Sequence, residues 1–205
     1  MITRENIITT ANKLFVEYGV KSVTIDRIVK ELHTSKRTIY NHFQDKTELL
    51  KACLAAHNER IKAENEEIIE ASDNAIQAMG YMHQRIIHRA NLTNPNYYND
   101  ILHYYPGLLQ ESYRAAGNFA HRGLQKLGEW GIRDGLFVPE LDIEVTSKTV
   151  MALLELLKDN NRFPIEKFSK ERLSFGVMLP YLRGVCTPAG VAILKEQEEL
   201  FKILL

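Results

Sequence analysis

Residues 23–50 read VTIDRIVKELHTSKRTIYNHFQDKTELL, and their spacing organises the rest of the chain. Thr24 can cap a short run whose apolar positions Ile25, Ile28, Val29 and Leu32 recur every three or four residues, the spacing of a helix face. His33 and Thr34 interrupt that run. Ser35 then caps a second one, expected over Lys36 to Phe43, in which Ile39 and Phe43 lie one turn apart and form the buried stripe. Asp45 followed by Glu48 has the reciprocal capping pattern, so a long fourth helix is expected to start there. Upstream, Thr3 caps a helix over Arg4 to Tyr18 whose apolar stripe is Ile7, Ala11, Leu14, Phe15 and Tyr18, and Gly19 supplies a left-handed stop. Two short helices joined by a tight turn, the second dense in Ser, Lys, Arg, Thr, Tyr, Asn and His, are what a helix-turn-helix requires. One helix braces on phosphates and the other enters a major groove.

Beyond residue 50 the apolar residues keep helical spacing, and runs of alternating Val, Ile and Thr are missing, so the chain is expected to be all-α. Ser72-Asp73, Asn94-Pro95, Pro106-Gly107, Gly135 with Pro139, Asp142, Pro164 with Ser169 and Thr187-Pro188 act as start and stop signals that divide the body into about six more helices. Pro180 falls inside a helical pattern and should kink or end that helix near Leu179. The predicted architecture is a three-helix helix-turn-helix domain over 1–46 and a larger helical domain over 47–205.

The chain has 205 residues with 26 Lys and Arg against 26 Asp and Glu, so no strongly polyionic role is available to it as a whole. The layout is slightly polarised: the first 50 residues hold eight Lys and Arg against six Asp and Glu. A mildly basic head on a mildly acidic body fits a short nucleic-acid contact surface. Cys53 and Cys186 are the two cysteines and lie far apart, which rules out a disulfide framework or a four-cysteine zinc site and points to a reducing, cytoplasmic setting. No secretory signal or membrane span is expected: the longest apolar stretch, Leu173 to Leu182, is about half the roughly 20 residues a bilayer needs.

The N-terminal segment resembles the DNA-binding domain of the TetR family of transcriptional regulators. Gly19, Thr24, Ile28, Ser35, Thr38, Ile39, Tyr40, His42, Phe43, Lys46, Leu49 and Leu50 match that family's pattern in order. The resemblance implies that Ser35, Lys36, Thr38, Tyr40 and His42 face DNA, that Thr24 and Lys46 hold phosphates at helix N-termini, and that Ile39 and Phe43 are core. Helix N-termini with their unsatisfied amides suit phosphate oxygens independently of any resemblance. Arg37 departs from the pattern, where many relatives carry glycine or alanine. An arginine there either donates to guanine N7 and O6, worth roughly 1 to 3 kcal/mol of discrimination, or clamps a phosphate, and the residues leave both readings open.

Six of the nine tyrosines fall at 81, 97, 98, 104, 105 and 113, in company with His83, His88, His103 and His121. In the family resembled, the middle helices enclose an inducer cavity, which makes Tyr81, Tyr98, His103, Tyr104 and Tyr113 the candidate ligand contacts; the alternative is that they fill an ordinary helical core. No metal site is expected, because the histidines lack the spacing that puts two ligands on one helix face. No cofactor or catalytic residue is assigned either, since no GxSxG, phosphate loop or dinucleotide motif is present. Val145, Thr149, Ala152, Leu153, Leu156 and Leu157, then Leu173, Gly176, Val177 and Leu179, make two strongly apolar helices, around 142–160 and 169–184. The resemblance implies that these form a homodimer bundle, with a last helix from Pro188 to Leu205 packed on the body through Val191, Leu194 and Leu200. The expectation is therefore a homodimeric regulator, most often a repressor in such families, that binds a pseudo-palindromic double-stranded operator and is released by a small-molecule inducer. The rival is the same fold controlled by a protein partner.

Overall fold

In the computed structural model, which describes residues 2–156, 162–164 and 166–201, the regular elements among the described residues are helices, with an isolated bridge between Phe137 and Cys186. The helices run α1 Arg4–Tyr18, α2 Ile25–Glu31, α3 Lys36–Tyr40, α4 Lys46–Ala71, α5 Ala75–Leu92, α6 Asn96–Tyr104, α7 Pro106–Arg133, α8 Ile143–Leu156, α9 Lys170–Leu173, α10 Leu179–Val185 and α11 Pro188–Glu196. Packing groups them into two units, 1–62 with 89–116, and 63–88 with 117–205. Thus the residues that pack with the helix-turn-helix extend past 46 into α4 and return at α6.

The first unit is built on Ile7, Ala11, Phe15, Val20, Val23, Ile28, Ile39, Leu49, Leu50, Cys53 and Ile101, all fully buried, with Phe43 and Tyr97 close behind. Burial removes apolar surface from water at roughly 25 cal/mol per Å², and this cluster draws that stabilisation from α1 to α4, α6 and the start of α7. Local capping sets the helix starts as expected. Thr3 and Asn6 bond reciprocally, Thr24 Oγ1 accepts from the Arg27 amide, Ser35 Oγ from Thr38, and Asp45 Oδ1 from Glu48 at 2.8 Å. Glu48 reaches back to the amide of Gln44 at 2.6 Å, one residue earlier than a capping box would have it. The last carbonyls of α1 have no partner within their own helix. Asn94 provides one: its amide donates to the Val16 carbonyl at 2.8 Å and its Nδ2 to that of Glu17 at 3.1 Å. The Lys21 amide donates to Asp100 Oδ2 at 2.7 Å, tying the α1–α2 loop to α6 as well.

Two expectations in this unit need correction. Tyr18 is exposed instead of completing the α1 stripe, because the Arg27 guanidinium lies 3.6 Å from its ring centroid and favours a wet, cation-bearing face. Helix α3 ends at Tyr40, not Phe43, although the Phe43 amide still reaches the Ile39 carbonyl at 3.0 Å.

The α2–α3 turn is a Schellman motif: the Thr34 amide bonds to the Val29 carbonyl, the His33 amide to that of Lys30, and His33 between them has φ 48°. A left-handed backbone costs an L-residue roughly 1–2 kcal/mol, part of which glycine recovers. His33→Gly is therefore expected to stabilise the first unit by up to about 1 kcal/mol, the exposed imidazole contributing no packing. A denaturation midpoint at or below that of the native sequence would refute this.

The second unit has its own core of Ile76, Leu127, Leu179 and Leu194, with Leu136, Phe137, Leu182 and Phe201. Pro180 lies in the first turn of α10, and the helical pattern changes directly before Leu179, the place of the expected interruption. The five residues Ser174–Met178 widen into a π-helical turn directly before α10. A proline lacks the amide and crowds the carbonyl four residues back, and a wider turn relieves both. The last helix ends at Glu196 and is followed by a 3₁₀ turn, Glu198–Leu200, instead of continuing; 202–205 lie outside the described residues. Leu194 is buried, and Val191 and Leu200 are half-buried, in this second core.

Candidate nucleic-acid interface

Helix α3 is only five residues long, so its orientation depends on what anchors it. Ile39 is fully buried and Phe43 nearly so, which turns the opposite face outward. On that face stand Lys36, Arg37 and Tyr40, all exposed, Tyr40 by 50%. Ser35 Oγ accepts from the Thr38 amide at 3.1 Å and lies 3.0 Å from Thr38 Oγ1, so these two side chains order the start of α3 before they could touch anything else. His42 is half-buried beside the core, and the Arg4 guanidinium sits 4.8 Å from the Phe43 ring centroid. Thr24 is exposed at the start of α2, its hydroxyl occupied with the Arg27 amide at 3.3 Å.

Sequence reasoning missed Asp26. Its Oδ1 lies 2.9 Å from Lys36 Nζ, bridging the first turn of α2 to the first residue of α3, and this hydrogen bond holds the Lys36 ammonium above the ordinary lysine range. An acid ten residues before a lysine carries no local signal. The pairing appears only once the turn at His33 has folded α3 back towards α2.

Lys46 occupies a different environment from the other cations. Its Nζ donates to the Val20 carbonyl at 2.6 Å and lies 5.7 Å from the Phe15 ring centroid. Burial lowers its pKa, opposed by the charge of Asp100. A phosphate at the start of α4 would share this ammonium with Val20.

With a capped, outward-facing α3 on a packed three-helix base, comparison with known proteins becomes specific. Residues 7–53 match the family described as bacterial regulatory proteins, tetR family. An HTH-type transcriptional regulator of Staphylococcus aureus strain USA300 is 46% identical over 46 residues, which are 22% of this chain and 25% of the relative. Over residues 7–53 the chain is similar to the TetR family. The match thus spans about a quarter of such curated relatives, whereas the fold likeness runs through the chain. A transcriptional regulator from Cytophaga hutchinsonii superposes with a TM-score of 0.74 at 17% identity, covering 89% of this chain and 98% of that one. A TetR-family regulator from Marinobacter aquaeolei superposes at 0.69 with 19% identity, covering 99% and 100%. The chain therefore has the all-α TetR-family fold, an N-terminal helix-turn-helix followed by a larger helical part.

The candidate ligand residues are dispersed and exposed. Tyr98, His103, Tyr104 and Tyr113 belong to the first unit and Tyr81 to the second. His103 and Tyr104 meet edge to face at 4.7 Å, and the Lys21 ammonium lies 5.2 Å from the Tyr104 ring. The buried tyrosine of the group is one not chosen, Tyr97, which meets Tyr98 edge to face at 5.0 Å and whose hydroxyl burial pushes up. Of the expected dimer residues, Val145, Ala152 and Gly176 are exposed, and Thr149, Leu153, Leu156 and Val177 half-buried. Leu173 and Leu179 are instead buried in the chain itself, since one face of α9 and α10 supplies its own core. Leu157 and 158–160 lie outside the described residues. Among the described residues no helix is long and apolar enough to cross a membrane.

Proposed function

We propose that the chain is a cytoplasmic, homodimeric DNA-binding transcriptional regulator, residues 1–46 gripping the operator and 47–205 carrying dimerisation and control. What supports this most is α3: anchored from below by Ile39 and Phe43, capped by Ser35, and presenting Lys36, Arg37 and Tyr40 on one exposed face. A recognition helix needs that polarity of surfaces, because its N-terminal residues meet base edges while its back holds to the domain. Thr24, Ser35, Thr38, His42 and Lys46 complete the DNA-facing set. Dimerisation uses the helices around 142–160 and 169–184, with Val145 and Gly176 among the exposed positions. Footprinting is expected to show two protected half-sites of a pseudo-palindrome about one helical turn, or a multiple, apart; a monomer protecting one half-site would overturn the dimer.

Lys46→Ala separates two roles in one variant. Removing the charged donor leaves the buried Val20 carbonyl unsatisfied, so a stability loss of about 1–3 kcal/mol is expected by denaturation. If Lys46 also neutralises a phosphate, the salt slope of binding falls by about one per contact. An unchanged slope with lowered stability would confine Lys46 to holding the α1–α2 loop.

The control step is repression relieved by a small-molecule inducer, for which Tyr81, Tyr98, His103, Tyr104 and Tyr113 are the candidate contacts. A second reading, control by a protein partner, draws on the exposure of the four tyrosines among them, since tyrosines on a surface are favoured anchors of protein interfaces. Reciprocity separates them: an inducer must bind the DNA-bound dimer more weakly by the same factor by which it weakens operator binding. Calorimetry of metabolites against free and operator-bound protein tests this, and equal affinities would leave the partner reading.

A further inference from the structure

We propose that Asp26 is a specificity-determining residue of the DNA interface, an acceptor that reads the exposed amino group of a cytosine beside the base met by Lys36. The proposal rests on the DNA-binding reading above. Asp26 belongs to α2, the helix that would cross the phosphate backbone, where a carboxylate is repelled. Its Oδ1 is nevertheless 2.9 Å from Nζ of Lys36, the first residue of α3, and both side chains are more than half exposed. The carboxylate is thereby carried to the N-terminal end of the recognition helix, the end that meets base edges.

At that place two outcomes compete when DNA arrives. If Lys36 swings to a phosphate, Asp26 is left beside the polyanion without its cation, which disfavours binding to any sequence. If the pair stays together, it enters the groove as one donor and one acceptor side by side. A lysine donates to guanine O6 and N7, and a carboxylate accepts from cytosine N4, so the pair matches the groove edges of G and C and repels neighbouring sequences that present only acceptors. Asp26 thus lowers general affinity and raises discrimination, a repulsive element used for specificity.

The test measures binding of the full-length protein to its footprinted site, to single-base-pair variants of that site and to an unrelated duplex, for the native sequence, Asp26→Asn and Lys36→Gln. Asp26→Asn is expected to bind the unrelated duplex more tightly and to lose roughly 5- to 100-fold discrimination at one base pair containing cytosine. Lys36→Gln is expected to lose discrimination at the neighbouring pair and to weaken binding throughout. Base preferences of Asp26→Asn identical to the native ones at every position would overturn the proposal while leaving the helix-turn-helix reading intact. A native protein that favours no site over the unrelated duplex would overturn that reading, and this proposal with it.

Discussion

Replacing Phe43 by alanine is expected to remove about 3–5 kcal/mol from the stability of the first unit, a large share of what a domain of this kind possesses. The side chain is only 2% exposed and belongs to the same cluster as Ile7, Phe15, Ile39 and Leu50. It lies three residues past the end of α3 with its amide bonded to the Ile39 carbonyl, so its removal opens a cavity at the point where the recognition helix is fastened, and the Arg4 guanidinium loses the ring it lies over. Operator affinity should fall with the folded fraction. Tyr40→Ala is the matched control: at 50% exposure it should leave the unfolding free energy within about 0.5 kcal/mol while weakening DNA binding. Denaturation followed by circular dichroism distinguishes the two. A Phe43→Ala midpoint close to the native one would mean that α3 is not fastened by this residue, and the geometric case for a rigid recognition helix would fail with it.

What could be read from the sequence was local. The caps at Thr3, Thr24, Ser35, Asp45, Asp142 and Thr187 lie within a few residues of the amides they satisfy, so spacing alone identifies them. The buried positions Ile39 and Phe43 follow from a single helical turn. Features that depend on residues distant in sequence were not legible. Tyr18 reads as the end of an apolar stripe until Arg27 is seen over its ring, and Lys36 reads as a free cation until Asp26 is seen beside it. Turns show the same limit. Gly135, with φ 69°, ends α7 in a Schellman motif and announces itself as glycine; the equivalent bonds at the α2–α3 turn are made by the amides of His33 and Thr34, and the left-handed residue there is His33, whose identity gives no hint of it. Aromatic clustering in sequence likewise says nothing about enclosure: Tyr81, Tyr98, Tyr104 and Tyr113 are close in number and exposed in space.

The second unit offers a test whose sign is opposite to intuition. Alanine in place of glycine inside a helix ordinarily stabilises by up to about 1 kcal/mol. Gly190→Ala, in the first turn of α11, is expected to destabilise by about 2–4 kcal/mol instead. A Cβ built there lies 2.0 Å from the carbonyl oxygen of Leu136, a backbone atom that cannot rotate aside. That carbonyl accepts from the Thr187 amide at 3.0 Å, and the Thr187 hydroxyl donates to Gly135 at 2.7 Å while accepting from Gly190 at 3.1 Å. Displacing Leu136 therefore strains the segment that caps α7, the bond from the Val138 amide to the Val185 carbonyl, and the start of α11 together. Gly184→Ala, near the end of α10 with nothing within 4 Å of its Cβ, should be neutral or slightly stabilising. Thermal unfolding of both variants decides it: a Gly190→Ala midpoint equal to that of Gly184→Ala would show that α11 does not sit this closely on the end of α7.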